Sequence, residues 1–200
     1  MKSLINKILD YQIKNNCIKK SEKTTYEYAY TILIEECINI VIAFTIAIAF
    51  GNTMLVFFFL CSYIPLRRFA GGYHADDGFI CGIVSSILII ILCLLSKLGV
   101  DNLIQKGKYM ILIICQVCIF TLAPVDTANK RLDEYERQKN RKIVAKILIV
   151  QMISVFVGAI GNSDCLLGGI IYSHIVLNCM LLIGIYKNYI HRQEGNLNNE

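Results

Sequence analysis

The chain has 200 residues, 56% of them hydrophobic, and a formal net charge of +5. Its apolar residues fall in long blocks, several close to the roughly 20 helical residues that cross a hydrocarbon core about 30 Å thick. Blocks of that kind exclude a soluble core and predict an integral membrane protein, all-α because only helices or closed barrels satisfy their backbone polar groups in lipid.

In chain order, the first element is basic. "MKSLINKILDYQIKNNCIKKSEK" carries six lysines, with Leu4, Ile5, Ile8 and Leu9 at helical spacing between them. It lacks the continuous apolar stretch of a signal peptide. Two readings stay open: an amphipathic helix on the membrane surface, or a helix packed on the rest of the chain. Six apolar segments follow, over residues 26–50, 53–66, 78–96, 109–124, 143–161 and 165–186. The second is short, reaching about 21 Å as a helix, which predicts tilt, local thinning or re-entry. Pro65 predicts a break near its end. The expected architecture is therefore one domain: a surface helix over 1–24, a bundle of about six spans over 25–187, and a cytoplasmic tail over 188–200 that ends in the disordered "QEGNLNNE".

Lysines and arginines in the connections set the expected orientation. They crowd the N-terminal arm, Arg67 and Arg68 after segment two, and Lys130 to Lys142 after segment four. They are absent after segments one and five. Both termini and the stretch 71–81 are thus expected on the cytoplasmic side of a bacterial cell membrane. Lys97, Lys106 and Lys108, after segment three, run against the pattern.

Nine cysteines give no disulfide framework, since most lie inside apolar runs and read as small hydrophobes. Cys115 and Cys118, spaced as CxxC, share that apolar setting and read as packing. Cys81 differs, because "GGYHADDGFIC" puts it seven residues after His74. In an unbroken helix the two would stand about 10 Å apart. Gly71 and Gly72 permit unusual backbone angles, and Asp76 or Asp77 is a natural N-cap for the next helix, so His74 can fold back toward the thiol. A thiol paired with imidazole ionises to a nucleophile. The plainer alternative is an apolar cysteine and a solvated histidine.

"RRFAGGYHADDGFIC" resembles the active-site signature of the accessory gene regulator B (AgrB) family, membrane peptidases of bacterial peptide quorum sensing. "APVDTANKRL", residues 123–132, resembles that family's second element between the fourth and fifth spans. Length, basic N-terminal helix, span count and motif order agree; Asp76-Asp77 departs from the basic or hydroxyl residue expected there. The resemblance implies a cysteine endopeptidase with His74 and Cys81 as the catalytic pair and Arg67, Arg68, Gly71 and Gly72 around them. It implies an AgrD-type propeptide as substrate, cut through a thioester on the cysteine and cyclised to a thiolactone or lactone. A homodimer is a further expectation, with membrane lipid as its other partner; no cofactor, metal or nucleic acid is implied.

Other residues have a plain reading and a functional one. Arg67 and Arg68 anchor topology and are also candidates to bind an acidic substrate tail or line an oxyanion site. Lys130 shares the tail-binding reading. At least one of Glu35 and Glu36 is expected to face the site or to pair with Arg67 or Arg68; the plain reading puts both at the cytoplasmic edge of a span that begins later. Asp126 is a candidate to orient His74 or a lysine. Ser85, one turn after Cys81, is expected to bond its own helix backbone. His174 and Asn178 are expected to hydrogen-bond between helices, across a dimer contact. The competing functions are a small transporter using Glu35, Glu36 and His174, and a non-catalytic membrane scaffold.

Overall fold

A computed structural model describes residues 2–72, 78–98, 100–126 and 133–197; of the side chains in those ranges, residues 2, 78–79, 100–106 and 191–197 are not described. The described residues form seven α-helices and one 3-10 turn, without a strand. These are α1 (Lys2–Lys14), α2 (Lys23–Phe50), α3 (Thr53–Ala70), α4 (Gly78–Lys97), α5 (Val100–Leu122), α6 (Glu134–Ile160) and α7 (Asp164–Leu197). Five are long and apolar enough to cross a membrane, and α5 contributes a shorter apolar stretch, Gly107–Leu122. The chain is an all-α polytopic membrane protein, as its apolar blocks predict.

One side of α1 packs on the rest of the chain. Ile5 and Leu9 are fully buried. Gln12 Nε2 donates to Tyr30 Oη at 2.8 Å, and Lys23 pairs with Asp10 at 2.7 Å, tying α1 to α2. Leu4, Ile8 and Tyr11 form a second, exposed stripe on the same helix.

The break expected at Pro65 does not occur. α3 runs through it to Ala70, giving 18 residues and a length of about 27 Å, close to the bilayer core. Proline removes one N–H from the ladder. The fully buried Leu66 and Ala70 hold the following turn in place by packing. The second span is therefore long enough to cross. At the far end, the 188–200 tail is helical as far as Leu197, since α7 carries on past the last apolar block.

α3 and α7 make the closest helix pair. A Cβ added at Gly169 would lie 2.7 Å from Phe58 Cβ and 2.8 Å from the Phe59 nitrogen, so the small residue admits the neighbouring backbone. α4 packs mainly on α2, where Gly82 faces Asn39. Mid-bundle, a polar chain crosses three helices. Gln151 Nε2 donates to Ser62 O and Ser62 Oγ, both at 2.9 Å, and Ser62 Oγ meets Ser173 Oγ at 2.6 Å. His174 is fully buried within its own chain, Nδ1 on Ile170 O at 2.8 Å, which removes it from any dimer contact. Asn178 Nδ2 does bond between helices, to Cys115 O at 3.1 Å.

Gln151→Leu is expected to destabilise the protein modestly, by about 0.5–1.5 kcal/mol. The serine pair survives the change, and Gln151 Oε1 has no partner to lose. Thermal unfolding in detergent, where each kcal/mol shifts Tm by about 2–4 °C, measures it.

Candidate functional site

Cys81 lies in the first turn of α4 and is half-buried. It opens on a cavity of about 30 Å³, room for one water. Tyr63 and Arg67 of α3, Ser85 of α4 and Met180 of α7 share that cavity. The Arg67 guanidinium sits 5.7 Å from the Tyr63 ring centroid, and Tyr63 stacks on Phe59 at 5.2 Å. An arginine on an aromatic face is held in orientation while keeping its donors for other partners. Arg68, one residue on, is exposed.

Beyond Arg67 the chain turns sharply. Gly71 closes α3 with φ +73° and ψ −140°, its N–H returning to Arg67 O at 3.1 Å, and Gly72 follows at φ +102°. Only glycine adopts such angles without strain. Both also touch backbone: a Cβ on Gly71 would overlap the Val125 carbonyl oxygen, and one on Gly72 would lie 3.0 Å from Met180 O.

The second motif is what the glycine turn rests against. Val125 N–H donates to Ala70 O at 2.9 Å, and Gly71 and Val125 form an isolated parallel bridge. Asp126 is anchored twice. Its carboxylate accepts from Arg137 of α6 at 2.7 Å, and its carbonyl accepts from Asn188 Nδ2 of α7 at 2.6 Å. Its Oδ1 is buried and has no hydrogen-bond partner. Thus "RRFAGG" and "APVD", more than fifty positions apart in the chain, brace one another at one end of the bundle.

Arg137 is half-exposed, so its pair with Asp126 is expected to contribute about 0.5–1 kcal/mol. A double-mutant cycle of Asp126→Asn and Arg137→Gln, read by thermal unfolding, is expected to show that coupling.

Glu35 is half-buried on α2, and no ion pair joins it to Arg67 or Arg68. It shares a helix face with Asn39, one turn on, which packs against Gly82 beside Cys81. A span of about 20 residues ending at Phe50 begins near Thr31, so both glutamates fall close to the end of α2 that lies with the site. His74 and Lys130 lie outside the described residues, as do Asp76 and Asp77. Ser85 faces the cavity, while its neighbour Ser86 makes the backbone bond, to Gly82 O at 2.8 Å. Tyr63 and Met180 are additions to the site. Tyr63 had a signal in the sequence, standing one helical turn before Arg67; Met180 had none.

These features define a class: a helical membrane protein whose half-buried cysteine faces an arginine beneath a braced glycine turn. The family model for accessory gene regulator B matches residues 5–186, and the chain belongs to that family. Curated relatives agree. An AgrB-like protein of Clostridium perfringens strain SM101 is 25% identical over 165 residues, covering 76% of each chain. One from Listeria innocua is 23% identical over 169 residues, covering 82% of this chain and 81% of its own. No solved structure matches the chain. Membership connects the protein to accessory gene regulator quorum sensing, in a family linked to peptide processing.

Proposed function

We propose that this chain is a cysteine endopeptidase that cuts an AgrD-type propeptide near its C-terminus and promotes cyclisation of the retained part. The observation that carries this reading is the placement of Cys81 in one small cavity with Arg67, directly below a turn that both family motifs build. His74 takes the thiol proton, and Cys81 Sγ attacks the scissile carbonyl. The C–N bond breaks, the proton passes to the leaving amine, and the acyl group remains as a thioester. A cysteine or serine of the substrate then attacks that thioester and closes the ring, which restores the Cys81 thiol. A nucleophile already held beside the acyl group outcompetes water through effective concentration.

Arg67 supplies charge for the developing oxyanion, with Gly71 and Gly72 setting the turn that carries His74. Arg68, Lys130 and the basic residues in the first turns of α6 attract the acidic tail of the substrate. Asp126 braces the turn, and Glu35 faces the same end of the bundle. The site and both termini lie on the cytoplasmic face of the bacterial membrane, and the working unit is a homodimer.

The experiment is co-expression with the short propeptide from the neighbouring reading frame. A propeptide fragment attached to the protein through a hydroxylamine-sensitive bond is the expected result, together with a released C-terminal tail. A tail released without any such adduct, in a variant lacking both Cys81 and His74, overturns the reading.

A further inference from the structure

A cavity of about 350 Å³ lies at the other end of the bundle. It is bounded by Asn52 at the α2–α3 turn, Ser96 near the end of α4, Lys108 of α5, and Asp164 and Leu167 at the start of α7. Cys81 and Ser96 stand about 22 Å apart along α4, so this cavity is remote from the cysteine site. Three features describe what it takes. Lys108 is the sheltered member of its ion pair, 21% exposed against 67% for Asp164, at the long separation of 3.8 Å. Asp164 occupies the first turn of α7, where the helix dipole already favours a carboxylate, so it depends little on the lysine. The ammonium has that long ion pair and the Tyr109 ring, 5.5 Å from its Nζ, as partners; neither is a close counter-charge, and the partly desolvated group calls for a further anion. Lys108 is also one of the three lysines that depart from the charge pattern of the connections. Lys97, another of them, lies at the same end with its Nζ 5.0 Å from the Phe50 ring centroid. Finally, Met54 lines the cavity and is exposed, over the buried Leu55 and Leu167, so the cavity offers apolar surface beside the charge at one end of the apolar helices.

We propose that this cavity binds an anionic phospholipid, with the phosphate against Lys108 and the glycerol ester region against Met54. A free anion would use the lysine but leave the apolar wall unused. The site is independent of the peptidase chemistry at the opposite end.

Cys165 provides the readout, because it is exposed and lines the cavity, whereas Cys17 is exposed in the α1–α2 connection. The full chain is placed in nanodiscs of phosphatidylcholine alone or mixed with phosphatidylglycerol, and the rate of labelling by a water-soluble maleimide is measured at each cysteine. Phosphatidylglycerol is expected to slow Cys165 at least about threefold relative to Cys17, the protection given by two-thirds occupancy. Lys108→Gln is expected to remove the protection and Lys108→Arg to keep it. A Cys165/Cys17 ratio that is the same in both membranes overturns the proposal, as does protection that persists in Lys108→Gln. Soluble glycerol phosphate that reproduces the protection in phosphatidylcholine discs assigns the cavity to free anions and overturns the lipid.

Discussion

Cys81→Ala is expected to lower propeptide cleavage by at least about a thousandfold, the scale on which nucleophile removal acts in enzymes that form acyl intermediates. His74→Ala is expected to cost about as much. The double variant should cost little more than either, because a nucleophile and its base act as one unit. The other cysteines make the comparison sharp. Cys93 is fully buried in the apolar core, and Cys61 and Cys179 face outward from the bundle. Replacing Cys61 or Cys179 with alanine should leave cleavage near its starting level. Cleavage of the propeptide in cells, followed by mass of the released tail, measures all of these. A Cys81→Ala protein that retains folding and cleaves at an ordinary rate would remove the chemistry proposed for the site.

The second large effect belongs to Gly71. Gly71→Ala places a methyl group on the Val125 carbonyl oxygen and forces a side-chain residue into a backbone region reserved for glycine. Backbone cannot swing aside as a flexible side chain does, so the turn and the second motif must part. The expected cost is about 3 kcal/mol or more in stability, at the upper end of single substitutions. Displacing Gly71 and Gly72, which lead the chain to His74, by even 1 Å is expected to cut cleavage about a hundredfold. Gly51→Asn is the control. Gly51 also has positive φ, +73°, but a Cβ there meets nothing within 4 Å, and asparagine tolerates left-handed backbone. Its cost should stay near 1 kcal/mol or below, with cleavage unchanged. Thermal unfolding and cleavage measured on the same preparations separate the two positions.

The spans were legible because lipid imposes a simple rule: a block of apolar residues must become a helix. Each of the six blocks became one, α5 with the shortest apolar stretch. Pro65 was misread because its local penalty was weighed without the packing of Leu66 and Ala70, which comes from α5, α6 and α7. The choice for α1 stayed open for a related reason. Its apolar residues occupy two stripes, and sequence does not say which one α2 will cover. At the site, each motif was readable by itself. Their mutual bracing was not, since the Gly71–Val125 bridge and the Val125–Ala70 hydrogen bond join segments that meet only after α4 and α5 have returned the chain to the same end.

Cys81 and Arg67 ride on different helix pairs, the thiol on α4 against α2, the guanidinium on α3 against α7. Their shared cavity is thus a seam between two helix pairs, which one apolar core of α2, α3, α4 and α7 joins farther along the bundle. A small hinge-like opening between the pairs would widen that seam for an extended peptide without unpacking either one. A covalent tether from Val84 across to Met180 should accordingly lock the peptide out while leaving the fold intact.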